Sequence, residues 1–396
     1  MHDADHRPSR SRLPVLVVLL LVGWCLAVGP GPALASHVSC GDRITADTTL
    51  EQDLVNCPNH GIVIGADGIT LDLNGHLVDG DGVPAANCNP RKEPCDFGVF
   101  NDGHDGVTVM HGSVRQFGLG VLVGGARRTR LLDLSVARSM FSGVVIAESA
   151  RTELRRSVVA VNGLDTDQAG IGVFQSGHGR IVRTAIRRNG DIGVFAEGAN
   201  DTVFARNKLA GNPEAAMLIG GNRNVFDRNR VVRNGEGITV GGNRNTITGN
   251  HVADSRAGTE GGGLGIFAAA GHDNVVARNF VARASRVGIQ VSLLPEELEG
   301  DPPAVDTVVR GNRLRGNGDG VYVQTTARRT VLKRNYVRRS KDDGIDVDSP
   351  KTTLIGNQAV RNGDLGIEAV FGVIDGGGNI ARHNGDPLQC TNIFCS

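Results

Sequence analysis

Carboxylates are the side chains of this sequence best placed to do chemistry. The stretch Asp342-Asp343-Gly344-Ile345-Asp346-Val347-Asp348 is echoed by Asp364-Leu365-Gly366-Ile367-Glu368. Asp343 stands before a glycine, as Asp319 and Glu236 do, and that is turn chemistry. Asp346, Asp348 and Glu368 have no such role. If the two stretches are successive strands of one sheet, Asp346 and Glu368 stack ~5 Å apart, and Asp346 and Asp348 lie ~7 Å apart along one strand. These separations suit Ca²⁺ ligation or the carboxyl pair of a glycoside hydrolase. Close carboxylates also push one another's pKa values apart, as acid–base work needs. A solvated acidic strand end that keeps a solenoid edge from pairing accounts for the same residues without any site. In a site, Phe267 and Tyr322 would stack sugar rings, and Gln290 or Gln324 would bond sugar hydroxyls or a carboxylate. A lyase would use Ca²⁺ on the acids, with Tyr322 or Lys341 the only nearby candidates for its base.

What would position these residues is a repeat. A glycine or small residue, an apolar residue, a variable one and another apolar one recur at Gly61, Gly98, Gly120, Gly143, Gly172, Gly193, Ala216, Gly237, Gly265, Gly288, Gly320, Gly344 and Gly366. From Gly98 onward the spacings are 22, 23, 29, 21, 23, 21, 28, 23, 32, 24 and 22. The base period is about 22, and longer intervals are insertions into single coils. No coil contains the ten or more residues of 3.6-period pattern that a helix needs. Short apolar alternations divided by Asn and Gly, as in 220–250, are the mark of a solenoid.

On these repeats the sequence resembles the right-handed parallel β-helix proteins of the pectate lyase-like superfamily, in particular the bacterial secreted group with Asn-rich repeats. The resemblance covers roughly Gly61 to Asn384. It implies an all-β, right-handed parallel β-helix of about 13 coils, capped at both ends, with glycans bound along one sheet. It implies no single reaction, because that superfamily holds lyases, hydrolases, epimerases and proteins without known chemistry. The polygalacturonases combine an Asp-Asp strand and a Gly-His-Gly turn in one site. Here Asp342-Asp343 and Gly177-His178-Gly179 occur in the opposite order and seven coils apart, roughly 34 Å. The Asp-Pro-His-Asp motif of the alginate epimerases is absent. A copper-accessory role would need clustered His–Met ligands, which are also absent.

Stacking the coils gives two columns. The first is a polar ladder of Ser157, Thr184, Asn207, Asn229, Asn250, Asn279, Asn312, Asn335 and Asn357. Asparagine tolerates the left-handed corner conformation, and its amide can bond the coils above and below. The residue before it is often arginine, as at Arg156, Arg183, Arg206, Arg228, Arg278 and Arg334. That fits a solvated face with Arg stems lying over the sheet, or a groove for a polyanion. The second column is the variable residue of the marker: Val63, Phe100, Leu122, Val145, Phe174, Phe195, Leu218, Thr239, Phe267, Gln290, Tyr322, Asp346 and Glu368. It faces outward yet is apolar for nine coils and then turns polar and acidic. Either insertions near 165, 258 and 297 cover it, or it is an elongated groove with an acidic end. Asp102, His104, Asp105 and His111 cluster in sequence, but Gly103-His104-Asp105-Gly106 reads as a turn.

The organisation predicted is a secretory signal over 1–35, a cap over 36–60, the helix over 61–384 and a closing tail over 385–396. Arg7, Arg10 and Arg12, the apolar run from Leu13 to Val28, and Ala33-Leu34-Ala35 carry the signal reading. Removing it leaves six cysteines, an even number that suggests disulfides in a secreted chain. Local pairing of Cys40 with Cys57, Cys88 with Cys95 and Cys390 with Cys395 is preferred; metal ligation would require thiolates converging from distant coils. Lys+Arg and Asp+Glu are equal at 42, so no overall attraction to nucleic acid or membrane is implied. Phosphate-binding glycine loops, a serine elbow and zinc spacings are all missing. The function expected is that of a secreted monomer engaging an extracellular polysaccharide or cell-surface glycan, as a lyase or hydrolase, or as a non-catalytic binding solenoid.

Overall fold

The computed structural model describes residues 37–83, 96–163, 168–258, 261–293 and 303–396. The expected signal segment and the Cys88–Cys95 pair lie outside the described residues. The rest is an all-β, right-handed parallel β-solenoid. Its first sheet has 14 strands, one per turn, running from Asp42–Ile44 through Glu236–Gly241 to Ile367–Ala369. The turn beyond the 13 counted in the sequence is made by residues 42–57. Asp42, Arg43 and Ile44 pair there with Ile62, Val63 and Ile64, and Cys40 is bonded to Cys57. Among the described residues no helix is long and apolar enough to cross a membrane.

Two further columns of short parallel strands complete each turn. Val225–Asp227 belongs to the second sheet and Arg230–Val232 to the third, separated by the Arg228-Asn229 corner. Strands of three residues suffice because each inward residue meets its equivalent one turn away. Ile219, Val240 and Ala268 are register partners, and so are Val323, Val347 and Ala369. All of them are buried in one continuous core, together with Ile238 and Ile345.

The asparagine ladder exists, but its geometry differs from expectation. The left-handed residue at each corner is the arginine, with φ of 57° at Arg206, 52° at Arg228 and 54° at Arg334. The asparagine turns inward. Its Oδ1 accepts the backbone N–H of the previous turn, as from Asn207 to Asn229 and from Asn229 to Asn250, both at 2.9 Å. Its Nδ2 donates to a carbonyl further back, as Asn229 does to Phe204 O at 2.8 Å. Each amide therefore satisfies backbone groups that a bend leaves without ladder partners. Two more ladders follow the same rule, through Asn189, Asn212 and Asn234 and through Asn224, Asn245 and Asn274.

Candidate functional site

The outward column of the first sheet runs as read, with one slip. Phe100, Leu122 and Val145 are successive partners, but Val145 pairs with Gly172, and Gly172 with Phe195. Phe174 is two residues further along. The turn begins at Gly170, whose carbonyl accepts the Val144 N–H. In Gly170-Ile171-Gly172 either glycine fits the marker, and the sequence alone does not separate them. A side chain at Gly172 would collide with the Phe174 ring at 2.7 Å, so that ring occupies the empty slot. From Phe195 on, the register follows Leu218, Thr239, Phe267, Gln290, Tyr322, Asp346 and Glu368.

A second outward column, missed in the sequence, runs beside it. It holds the residue just before the marker glycine, and it too is apolar first: Phe97 pairs with Leu119, and Ile192 with Ala215. The two columns pack on each other in separate clusters, such as Phe97, Leu119 and Phe141 with Phe100 and Leu122. This packing leaves Phe100, Leu122, Val145, Phe195 and Leu218 half-buried, and the column is fully covered from Thr239 to Gln290. Phe267 is 4 % exposed, packed with Leu264, Ala269 and Val287, and offers no free ring face for stacking a sugar. Gln290 is 8 % exposed and donates through Nε2 to Ser292 Oγ at 3.0 Å. Of the expected substrate contacts, these two belong to the covered stretch.

The second column turns acidic one turn before the first, at Asp319, and is apolar again at Leu365 beside Glu368. Val287 is followed by its partner Asp319, then by Asp343. Asp319 and Asp343 do the turn work expected of them. Asp319 Oδ1 accepts the Asp343 N–H at 3.3 Å, and Asp343 Oδ1 accepts the Leu365 N–H at 2.8 Å. They also join the acids of the first column, which the sequence reading did not foresee. The signal was present: Asp319-Gly320 and Asp343-Gly344 share one offset, and so must stack. Carboxylate oxygens of Asp319, Asp342 and Asp343 all lie within 4.8 Å of one another.

The electrostatics follow from crowding under partial cover. Burial, and then the charges of Asp348 and Glu368, raise the Asp346 carboxyl to about 7. Burial likewise raises Asp343, which is 6 % exposed and hydrogen-bonded to Glu368. Asp319 is raised by burial and by Asp342. Tyr322, half-buried, donates its hydroxyl to Asp348 Oδ2 at 2.9 Å, and the Gln324 side chain bonds it as well. Burial and that carboxylate push the phenol up to about 12. The structure thus gathers Asp346, Asp348, Glu368, Tyr322 and Gln324 at one end of the first sheet. Chemically this end offers a carboxylic acid that keeps its proton near neutrality, carboxylates around it, and an aromatic ring in the adjacent strand.

The histidines near residue 105 do not gather into such a group. His104 bonds Asp67 at 3.2 Å and His111 bonds Asp72 at 3.2 Å, each at a corner of the preceding turn. Among the described residues, no ligand set forms there.

The family description "Right handed beta helix region" matches residues 97–250 and 193–359. No curated protein sequence matches the chain. Among solved structures, the Azotobacter vinelandii mannuronan C-5 epimerase AlgE6 A-module is similar at a TM-score of 0.56 and 15% identity, covering 88% of this chain and 90% of that one. The AlgE4 A-module gives 0.55 and 15%, covering 84% and 91%. The periplasmic alginate epimerase AlgG gives 0.52 and 14%, covering 80% and 77%. At these identities the likeness shows the fold.

Proposed function

The chain belongs to the right-handed β-helix family, and we propose that it is a secreted protein that engages an extracellular polysaccharide at the acidic end of its first sheet, cleaving it as a glycoside hydrolase. The observation that carries this reading is the Asp346 carboxyl, raised to about 7 and paired in register with Glu368. Asp346 would protonate the leaving glycosidic oxygen, and Glu368 would act on the anomeric carbon from the next strand. Strands ~4.8 Å apart favour the close carboxyl spacing of retaining enzymes, about 5–5.5 Å, over the wider inverting spacing. Tyr322 would pack against a sugar ring, and Gln324 would bond its hydroxyls. Alginate epimerases of the same fold act on a polyuronate by name, which supports a glycan partner. Without their Asp-Pro-His-Asp motif, this chain is not assigned epimerase chemistry. Lyase chemistry with Tyr322 as its base is disfavoured, because that phenol, raised to about 12, donates to Asp348.

The test is a glycan panel followed by reducing-end and unsaturated-product assays. New reducing ends without unsaturated product, lost at least 100-fold in Asp346→Asn and Glu368→Gln, are expected. Unsaturated product instead would replace hydrolase with lyase, and no turnover of any glycan would leave a binding solenoid.

A second reading, cation ligation, is supported by the close oxygens of Asp319, Asp342 and Asp343. Ca²⁺ is the ion this all-oxygen set suits, and the cluster's raised acids give it a measurable effect. Bound Ca²⁺ should raise Tm at pH 8 and leave it nearly unchanged at pH 5, where protons already occupy the site. Equal melting in Ca²⁺ and in chelator at pH 8 would remove the metal from the account.

A further inference from the structure

The third sheet carries a feature that the acidic end does not use. A concave surface of about 880 Å³ lies where its strands Arg313–Arg315 and Tyr336–Arg338 meet the corner residues Gly311, Arg334 and Gly356. Arg313, Arg315, Arg334 and Arg338 line it, and no lining residue is acidic. Some exposed arginines of this chain are neutralised across turns. Arg223 bonds Asp201 at 2.7 and 2.6 Å, Arg283 bonds Asp254, and Arg329 bonds Asp306. The four groove guanidiniums have no such partner among the described residues. Arg315 and Arg338 are even direct register partners, a like-charge pair that costs stability unless something anionic lies over it.

The column through the groove extends the charge. Arg313 follows Phe280 and precedes Tyr336 and Gln358 in register. Lys208, Arg230 and His251 occupy the same column in earlier turns. His251 packs on Phe280 with ring centroids 4.9 Å apart. Ring, cation and ring therefore follow one another at Phe280, Arg313 and Tyr336, one side chain per ~4.8 Å strand step.

We propose that this face is a second binding site, for the chain of an acidic polysaccharide. An extended pyranose polymer advances by about one ring in a step close to the ~4.8 Å strand spacing, so sugar carboxylates and sugar faces fall into register with arginines and aromatic rings. Arg forks bind carboxylates through two parallel hydrogen bonds, and Tyr336 and Phe280 offer apolar edges to the rings. A nucleic acid fits less well. Its charge density calls for a broad cationic field, whereas this chain has balanced charge overall. Base stacking also needs free ring faces, and one face of Phe280 is taken by His251. The site is on a different sheet from Asp346, so it neither requires nor implies cleavage there.

The test measures binding of a fluorescent oligogalacturonate, a neutral cello-oligosaccharide and a single-stranded oligonucleotide to the full chain. The expected result is oligogalacturonate binding that weakens as salt rises, with no binding of the neutral sugar. Arg313→Gln with Arg315→Gln and Arg338→Gln should weaken it at least 10-fold while Tm stays level or rises as the like charges are removed. Tyr336→Ala should weaken it several-fold, and Arg128→Gln, at an exposed corner outside this face, should leave it unchanged, which ties the binding to the groove rather than to arginine in general. Arg313→Lys, retaining the charge, should recover part of the affinity lost in Arg313→Gln. Undiminished binding by the triple variant, no oligogalacturonate binding at all, or tighter binding of the oligonucleotide would each overturn the proposal.

Discussion

A carboxyl that keeps its proton to about pH 7 affects stability as well as chemistry. Asp346 rises from 3.8 in the unfolded chain to about 7 in the fold. Between those values the folded state binds the extra proton, so stability is greatest at low pH and falls as pH rises through the folded value. A shift of this size, discounted because Asp346 remains partly open to solvent, corresponds to ~1–2 kcal/mol. Asp346→Asn removes the titration. Its Tm should match the wild type near pH 4 and exceed it by a few degrees at pH 8. The same proton governs the proposed chemistry: turnover should decline tenfold per pH unit above about 7. A wild-type Tm that does not fall between pH 5 and pH 8 would show that Asp346 is solvated and ordinary.

The strands are too short to hold themselves, and the corners carry the work. Asn229 accepts the Asn207 N–H and donates to Phe204 O, and it is buried. Asn229→Ala leaves both groups without partners and should cost roughly 1–3 kcal/mol, read as a lowered denaturation midpoint. Arg228 sits at φ 52° with its side chain exposed. Arg228→Gly should therefore be neutral or stabilising, since glycine adopts that backbone without strain. The reverse pattern, with Arg228→Gly costly and Asn229→Ala silent, would return the left-handed role to asparagine.

These corners also show what the sequence could tell. Spacing revealed the ladder and the coil length because a solenoid repeats its hydrogen bonds at one period. Which of Arg228 and Asn229 took the strained conformation was not legible, since both recur with the same spacing. The Gly170–Gly172 ambiguity arose in the same way. The acidic end was half legible. Asp346, Asp348 and Glu368 stood out because a strand gives them no turn duty. Asp319 and Asp343 read as turn residues, although a residue can cap a turn and face a site at once. That Phe267 and Gln290 are covered depends on packing between two outward columns, a contact that the spacing along one column does not encode.

At the scale of the molecule, a solenoid is a stack of units that each contact only their neighbours, so its ends are its weak points. The acidic end lies against one of them. The last first-sheet strand, Ile367–Ala369, holds Glu368, and residues 389–391 cover its outer edge. Gly366 N–H bonds Gln389 O at 2.9 Å, Ala369 N–H bonds Thr391 Oγ1 at 3.0 Å, and Ile367 bridges to Cys390. Cys390 is joined to Cys395, which bridges in turn to Asn379, so the tail is fastened to the third-sheet corner as well. Cys390→Ser with Cys395→Ser should loosen this closure and expose the strand edge, a pairing hazard as well as a local loss. Hydrogen exchange should quicken over 366–369 and fade within two or three turns, leaving 236–241 at wild-type protection. If the acidic end is the functional site, glycan turnover should fall with that local protection while global Tm changes little. Uniform loss of protection along the whole chain would mean that the turns unfold together and that the tail does not act as a local clasp.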